Sequence, residues 1–320
     1  MKRVMIIDAL NQFLRAYIVN PTLSTNGDPI GGTAGFLKIL QKLCREIKPD
    51  RVIICWDGQG GSARRKIVNK NYKEGRKPLR LNRDVKNLTQ EEELQNKIWQ
   101  QVRLVEYLNN FPVTQLVSDG AEADDVISFI VQHPGFWGWQ KVIVSSDKDF
   151  FQLLDSETVA YRPTQKEILN KNNIVEKFGI HPTNFALARA IVGDKSDNLD
   201  GVPGIGLPTV AKRLPFLAEE KTYGIDKVIE FCDNTNSTLR AYKNISESED
   251  LIKENYKLMQ LYSPSISVQN KTKIKCTIRD SDLTFNKTAT NGMFLEDGIG
   301  NTNWNDLFIA FRKIVVGAKE

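Results

Sequence analysis

The sequence predicts an α/β fold with a mostly parallel sheet flanked by helices, and three observations carry that prediction. Short apolar runs recur along the first half of the chain, helical patterns separate them, and run after run ends on an aspartate. Runs that are apolar throughout read as strands covered on both faces, and intervening helices are what parallel connections require. The clearest case is Val142-Ile143-Val144-Ser145-Ser146-Asp147-Lys148-Asp149, where a strand delivers two carboxylates with one residue between them. In open α/β sheets the chemistry sits outside the carboxyl ends of the strands. Clustered anions there raise one another's pKa unless a cation neutralises them.

The elements follow in order. Val4–Ile7 is a first buried strand ending at Asp8, and Leu10–Tyr17 reads as a short helix. Residues 21–32 form a polar loop marked by proline and glycine. From Thr33, Phe36, Leu40, Leu43 and Ile47 keep helical spacing, and Pro49 ends that helix. Val52–Trp56 is a second strand, ending at Asp57. Gly58 to Leu88 is basic without a sustained apolar face, so it cannot bury itself and is expected to be mobile or to arch over the body. Thr89 with Glu92 makes a capping-box pattern, opening a helix whose inner face would be Leu94, Ile98, Val102, Val105 and Leu108.

Val113–Val117 is the third strand, and the acids Glu122, Asp124 and Asp125 open the next helix. The helix dipole favours acids in a first turn, yet three exceed what capping needs, and Glu122 and Asp125 share a face. After the strand at Val142, Thr158–Tyr161 reads as one more strand. Ile168–Phe178, Asn184–Val192, Ile225–Cys232 and Glu249–Leu261 read as helices. Between them, Gly204 and Gly206 bracket Ile205 just ahead of a helix starting near Thr209. That is a tight turn whose bare N–H groups can approach a phosphate. From Lys271 onward the chain is polar, weakly patterned and carries no assigned element.

Composition narrows the function. The chain has 320 residues, 41% of them hydrophobic and 26% charged, enough for a core without disulfide help. Four dispersed cysteines and two histidines argue against a zinc site or a disulfide framework and for a reducing, cytoplasmic setting. No stretch is apolar enough to span a membrane, and Met1-Lys2-Arg3 runs straight into the first strand without a signal peptide. Net charge is only +5, but Arg64–Lys86 holds ten basic residues against two acids, a local +8 that leaves −3 for the rest. So concentrated an excess points to a polyanion.

Nine acids from five separate segments stand nearly all at strand ends or helix starts: Asp8, Asp57, Glu122, Asp124, Asp125, Asp147, Asp149, Asp194 and Asp197. Gathered in one cleft they would repel each other, and oxygen-only ligands suit Mg²⁺ or Mn²⁺. Two such ions can activate water and stabilise charge developing on phosphorus. With the basic segment drawing in a nucleic-acid backbone, these acids point to phosphodiester hydrolysis.

On these motifs the chain resembles the 5′-nuclease superfamily, and most of all its freestanding phage members. The matching residues are Ile6-Ile7-Asp8, Cys55-Trp56-Asp57, Glu122-Ala123-Asp124-Asp125, and Ser146-Asp147-Lys148-Asp149 followed by Phe151-Gln152-Leu153-Leu154. Gly193-Asp194-Lys195-Ser196-Asp197-Asn198 then leads into Gly204-Ile205-Gly206. The resemblance covers roughly residues 1–215 and implies a PIN-like, Rossmann-like catalytic domain over 1–192, with 58–110 as a basic helical arch. Residues 193–320 would be a helix–three-turn–helix and C-terminal helical region.

It further implies a structure-specific 5′-3′ exonuclease and flap endonuclease that removes RNA primers. Asp8, Asp57, Glu122, Asp124 and Asp125 would surround one metal ion, and Asp147, Asp149, Asp194 and Asp197 a second, with Asp125 or Asp124 shared or acting through water. Catalysis would fall to Lys73 and Arg76 beside Asp8, Asp57 and Asp147. DNA would be met by Tyr72, stacking on a base, by Lys73, Arg76, Arg64 and Arg65, and by Gly204, Ile205, Gly206 and Thr209, where relatives hold a K⁺. Expected partners are flap or branched DNA, RNA–DNA duplex, a single-strand binding protein and a sliding clamp, with the chain a monomer. A PIN-type ribonuclease and a non-catalytic junction binder are the alternatives. The link from Gln59 to Ser62 is looser than the family pattern, which leaves the residues before Tyr72 unaligned.

Overall fold

A computed structural model describes residues 1–75, 88–299 and 303–317. Arg76, expected to contact DNA and act in catalysis, and residues 77–87 of the basic segment lie outside the described residues.

The strands β1 (Arg3–Asp8), β2 (Arg51–Trp56), β3 (Thr114–Val117), β4 (Gln140–Val144), β5 (Thr158–Arg162) and β6 (Glu167–Leu169) form one sheet in the order β3-β2-β1-β4-β5-β6. All neighbours are parallel except β6, which runs antiparallel to β5. The chain builds outward from β1 to β3 on one side, then returns to place β4 on the other side of β1. That reversal is a topological switch point, where parallel sheets open a crevice. Register puts Ile7 beside both Ile54 and Val144 and Asp8 beside Cys55, so the strand-end acids share one edge.

Helices cover both faces. On one, α1 (Ala9–Val19) and α2 (Gly31–Ile47) pack over Met5, Ile7, Val52, Ile54, Val142 and Val144. The short α3 (Ala63–Val68) follows β2 and buries no side chain, and α4 (Gln90–Asn109) returns the chain to β3. On the other face, α5 (Ala123–Val131) packs over Val4, Ile6, Ile53, Cys55 and Ile143. Beyond β6, α6 (Lys171–Phe178), α7 (Pro182–Val192), α8 (Leu207–Arg213), α9 (Ile225–Asn234), α10 (Arg240–Ser246) and α11 (Glu249–Met259) surround a second core around Phe185, Ile191, Val210 and Ile252.

Three expectations are corrected. The inner stripe of α4 is Gln100, Leu104, Tyr107 and Leu108, while Leu94, Ile98 and Val102 face solvent. Gln100 is drawn inward because α2 has no side-chain N-cap. Its Oε1 accepts from the N–H groups of Gly32 (2.8 Å) and Thr33 (3.1 Å), and its amide donates to the Pro29 carbonyl (2.8 Å). Ile168 belongs to β6, and the helix read from it begins only after Asn170, whose side chain closes a capping box.

The segment after Gly58 includes α3, tied down by arginine contacts described below. From Lys271 onward, where the sequence pattern assigns no element, the described residues are largely helical. α12 (Val268–Asp280) joins the sheet face under α5. α13 (Lys287–Glu296), α14 (Asn305–Gly317) and the Trp304 that precedes α14 put Phe294, Trp304, Leu307 and Phe311 into the core that α2 also lines.

Candidate active site

Local chemistry explains why each acid stands where it does. Asp8 ends β1 and caps α1: its Oδ1 accepts the Asn11 N–H (3.1 Å) and its Oδ2 accepts from Ser145 Oγ (2.9 Å). Ser145 Oγ in turn accepts the Asp147 N–H (3.1 Å), and Asp147 Oδ1 accepts the Asp149 N–H (2.8 Å). The two central strand ends are thereby joined side chain to side chain. Asp57, exposed after β2, accepts the Ala123 N–H at the start of α5 (2.8 Å). That places β2's acid against the helix bearing Asp124 and Asp125.

The loop holding Asp194 and Asp197 is pinned at its base by paired backbone hydrogen bonds between Asp194 and Leu199 (2.9 and 2.8 Å). Gly193 there has φ +75, and a Cβ on it would come within 2.5 Å of the Gly201 nitrogen. Asn198 turns left-handed at φ 58, and the Asp194 carboxylate accepts from the Ser196 N–H (2.8 Å) and hydroxyl (2.7 Å). Asn255 supports the same loop from α11 by donating to the Ala190 (2.9 Å) and Asp200 (2.8 Å) carbonyls.

The electrostatics divide the acids into two sets. Burial pushes the Asp8 carboxyl up to about 7, opposed by its hydrogen bonds and reinforced by Asp57 and Asp147. Asp124 is raised well above its ordinary value by burial, then by Asp147 and Asp8. Burial raises Asp147 as well, with Asp197 and Asp194 adding to it, and Asp149 is pushed to about 7 by burial and Asp147. Asp147 therefore faces acids of both groups.

The second set is already neutralised. Arg65 Nη1 reaches Glu122 (2.9 Å) and Asp125 (3.0 Å), while its Nε donates to the Leu258 carbonyl (3.1 Å). Lys73 Nζ reaches the other Glu122 oxygen (2.7 Å), and the Tyr72 hydroxyl donates to Glu122 (3.2 Å). Against its burial, Arg65 and Lys73 hold Glu122 below its ordinary pKa. Asp125 also accepts the Ser265 N–H (2.8 Å). These two carboxylates, expected as metal ligands, here serve as anchors for α3 and for Tyr72-Lys73.

Arg189 does the same at the other end, with Nε on Asp149 (2.8 Å) and Nη2 on Asp194 (2.5 Å). Sequence reasoning missed it. The available signal was one charge inside the apolar stretch Phe185–Val192, and a buried arginine is seldom without a carboxylate partner. Ser145 and Asn255 gave no signal, because nothing marks which hydroxyl or amide will face a carboxylate.

The remaining expected contacts are scattered. Tyr72 is 3% exposed, packed with Leu199, Leu258 and Met259, so its ring is not free to stack on a base in this arrangement. Arg64 is exposed and donates to the Ser265 carbonyl (3.1 Å) and hydroxyl (3.2 Å). Gly204 has φ +76 in open space, Ile205 anchors the turn in the second core, and Gly206 precedes α8, which contains a half-buried Thr209.

Oxygen donors on raised, mutually repelling carboxyls fit a hard divalent cation, because only added positive charge lets them ionise together. Among the described residues, no group of three or more carboxylate, histidine or cysteine side chains stands ready to hold an ion.

Comparison with known proteins gives the family. The family model for the 5′-3′ exonuclease, N-terminal resolvase-like domain, matches residues 3–179. DNA polymerase I of Caldicellulosiruptor bescii is 31% identical over 245 residues, which is 74% of this chain but only 26% of the polymerase. A 5′-3′ exonuclease of Aquifex aeolicus is 29% identical over 268 residues, 82% of this chain and 83% of that protein. The bacteriophage T5 flap endonuclease, solved as a pseudo-enzyme-product complex with DNA and metal ions, superposes with a TM-score of 0.64 at 19% identity, covering 93% of this chain and all of that one. That likeness shows a shared fold. With the family model spanning the whole sheet and every acid up to Asp149, the chain belongs to the 5′-3′ exonuclease family.

Proposed function

We infer that the protein is a divalent-metal-dependent, structure-specific 5′-nuclease that hydrolyses phosphodiester bonds at 5′ ends and flaps. The observation that carries this is the carboxylate group Asp8, Asp124, Asp147 and Asp149 at the switch point of the sheet, each held away from its ordinary ionisation by burial and by its neighbours. Asp8, Asp57, Asp124 and Asp147 would hold one Mg²⁺ or Mn²⁺, and Asp147, Asp149, Asp194 and Asp197 a second. When bound, the ions would supply an activated water and neutralise charge on the phosphoryl oxygens.

The chain's own residues do the rest. The Asp8 carboxylate is oriented by the Asn11 N–H and the Ser145 hydroxyl, and Asp147 by the Asp149 N–H on its Oδ1, while Ser145 ties the Asp147 backbone to Asp8. Lys73 sits at the mouth of the acid group on a left-handed backbone (φ 59), its N–H on the Asp197 carbonyl (2.8 Å). From there its ammonium can pass from Glu122 to a phosphate, stabilising charge that develops there. Gly204 offers an unobstructed main-chain approach to a duplex backbone and is the place where a K⁺ would bind. RNA-primer removal at replication, with a single-strand binding protein or sliding clamp as partner and the chain a monomer, is the setting this chemistry suits.

The test is cleavage of a 5′-labelled flap duplex and of single-stranded RNA, each with Mg²⁺ and with EDTA. The reading expects Mg²⁺-dependent cutting at the flap junction. Cutting of the RNA alone would favour a PIN-type ribonuclease, and binding without cutting a junction binder.

A further inference from the structure

The sheet face covered by α5 and α12 carries, beyond the C-terminal end of α5, a row of rings that the hydrolytic chemistry does not use. Phe129 and His133 meet edge-on with centroids 5.9 Å apart, His133 and Phe136 at 6.2 Å, and Phe136 and Trp139 at 5.5 Å. Lysines stand at both ends: Lys271 and Lys275 lie 5.9 and 6.0 Å from the Phe129 ring, and Lys2 lies 5.6 Å from the Trp139 ring. On the same turn, Trp137 is 70% exposed. The adjacent acid, Glu157, is engaged by Lys141 (2.7 Å) and the Gly138 N–H (3.2 Å), so it leaves the lysines' charge standing.

We propose that this face binds single-stranded nucleic acid, as a continuation of the path away from the catalytic edge. The proposal rests on the nuclease reading above. α5 begins at the site acids and ends at the ring row, about 13 Å further on at 1.5 Å per residue. α12 runs beside it. The Ser265 N–H just before α12 lies on Asp125, and the Asn270 amide lies on the Asp119 carbonyl (2.8 Å). Arg64, bonded to Ser265, then Lys271 and Lys275 therefore form a cationic line from the acids to the rings. Cations for phosphates together with an exposed ring for a base, here Trp137 on the turn that carries the ring row, is the combination by which single strands are held without regard to sequence. A strand is favoured over an acidic peptide because the line starts at the edge where a strand would be cut.

The experiment measures binding of a 5′-fluorescent oligothymidylate by anisotropy in EDTA, for the wild type, Lys271→Glu/Lys275→Glu and Trp137→Ala. The double variant should bind at least about tenfold more weakly and lose about 1.4 from its salt slope, as two lost phosphate contacts require. Trp137→Ala should weaken binding about tenfold, and Trp137→Phe should recover most of it. All variants should melt like the wild type and cleave a one-nucleotide flap, too short to reach this face, at the wild-type rate. Unchanged oligothymidylate affinity would overturn the proposal. So would loss of polyglutamate binding with strand binding intact, which would make the face a protein-docking surface. Failure of the wild type itself to cut the short flap would instead remove the nuclease reading on which the proposal stands.

Discussion

Asp8 and Asp149 show how single residues carry this site. Both carboxyls stand near 7, against an ordinary value of 3.8, chiefly because loss of solvent disfavours their charge, at the buried Asp8 and the half-buried Asp149 alike. Between those values the native state binds more protons than the unfolded chain, so stability falls as pH rises through that window. In EDTA the melting temperature should therefore drop between about pH 5 and pH 8, and Mg²⁺ should raise it more at the higher pH. A flat profile with no metal effect would contradict the assignment. Arg189 offers a separate check. Arg189→Ala leaves Asp149 and Asp194 facing each other unpaired and should cost roughly 3–5 kcal/mol in urea unfolding, with Arg189→Lys losing less.

At the scale of elements, what was legible and what was not have physical causes. Thr89 and Glu92 were readable because a capping box needs only local spacing, and both of its hydrogen bonds are present (Glu92 N–H to Thr89 Oγ1 at 3.2 Å, Thr89 N–H to Glu92 at 2.7 Å). Thr89→Ala should accordingly cost about 1 kcal/mol by chemical denaturation. The face of the same helix was misread because Leu94, Ile98 and Val102 have the period of an inner stripe. The residue that goes inward is Gln100, recruited by bare N–H groups on α2, more than sixty positions away in sequence. Periodicity ranks faces by apolarity and cannot see a distant donor that has to be satisfied. The strands were readable because runs buried on both faces leave no polar residue to blur them.

For the whole molecule, the order β3-β2-β1-β4-β5-β6 is the fact from which the site follows. It brings Asp8 and Asp147 together from positions 139 apart in the sequence numbering, and the ends of β1 and β4 are the only central pair that the reversal can open. The strand-end acids could be read from the sequence because this placement is general to parallel sheets. The C-terminal contribution could not, since Phe294, Trp304, Leu307 and Phe311 are spaced among polar residues and find partners far back in the chain, such as Tyr107 and Phe111. Phe311 is fully buried against Phe111 at a 4.8 Å ring separation, so Phe311→Ala should cost about 3–5 kcal/mol by urea unfolding. A loss below about 0.5 kcal/mol, the ordinary size for surface sites, would mean that α14 is not part of the catalytic core.

The central claim, that these desolvated carboxylates form the hydrolytic centre, meets its most direct test in Asp147→Asn, which removes the acid proposed to serve both halves. The measurement is single-turnover cleavage of a 5′-labelled flap duplex in Mg²⁺, beside binding of the same duplex in EDTA. Cleavage should fall roughly a hundred- to a thousandfold or more while binding in EDTA stays within about twofold of the wild type. Wild-type cleavage by Asp147→Asn would contradict it.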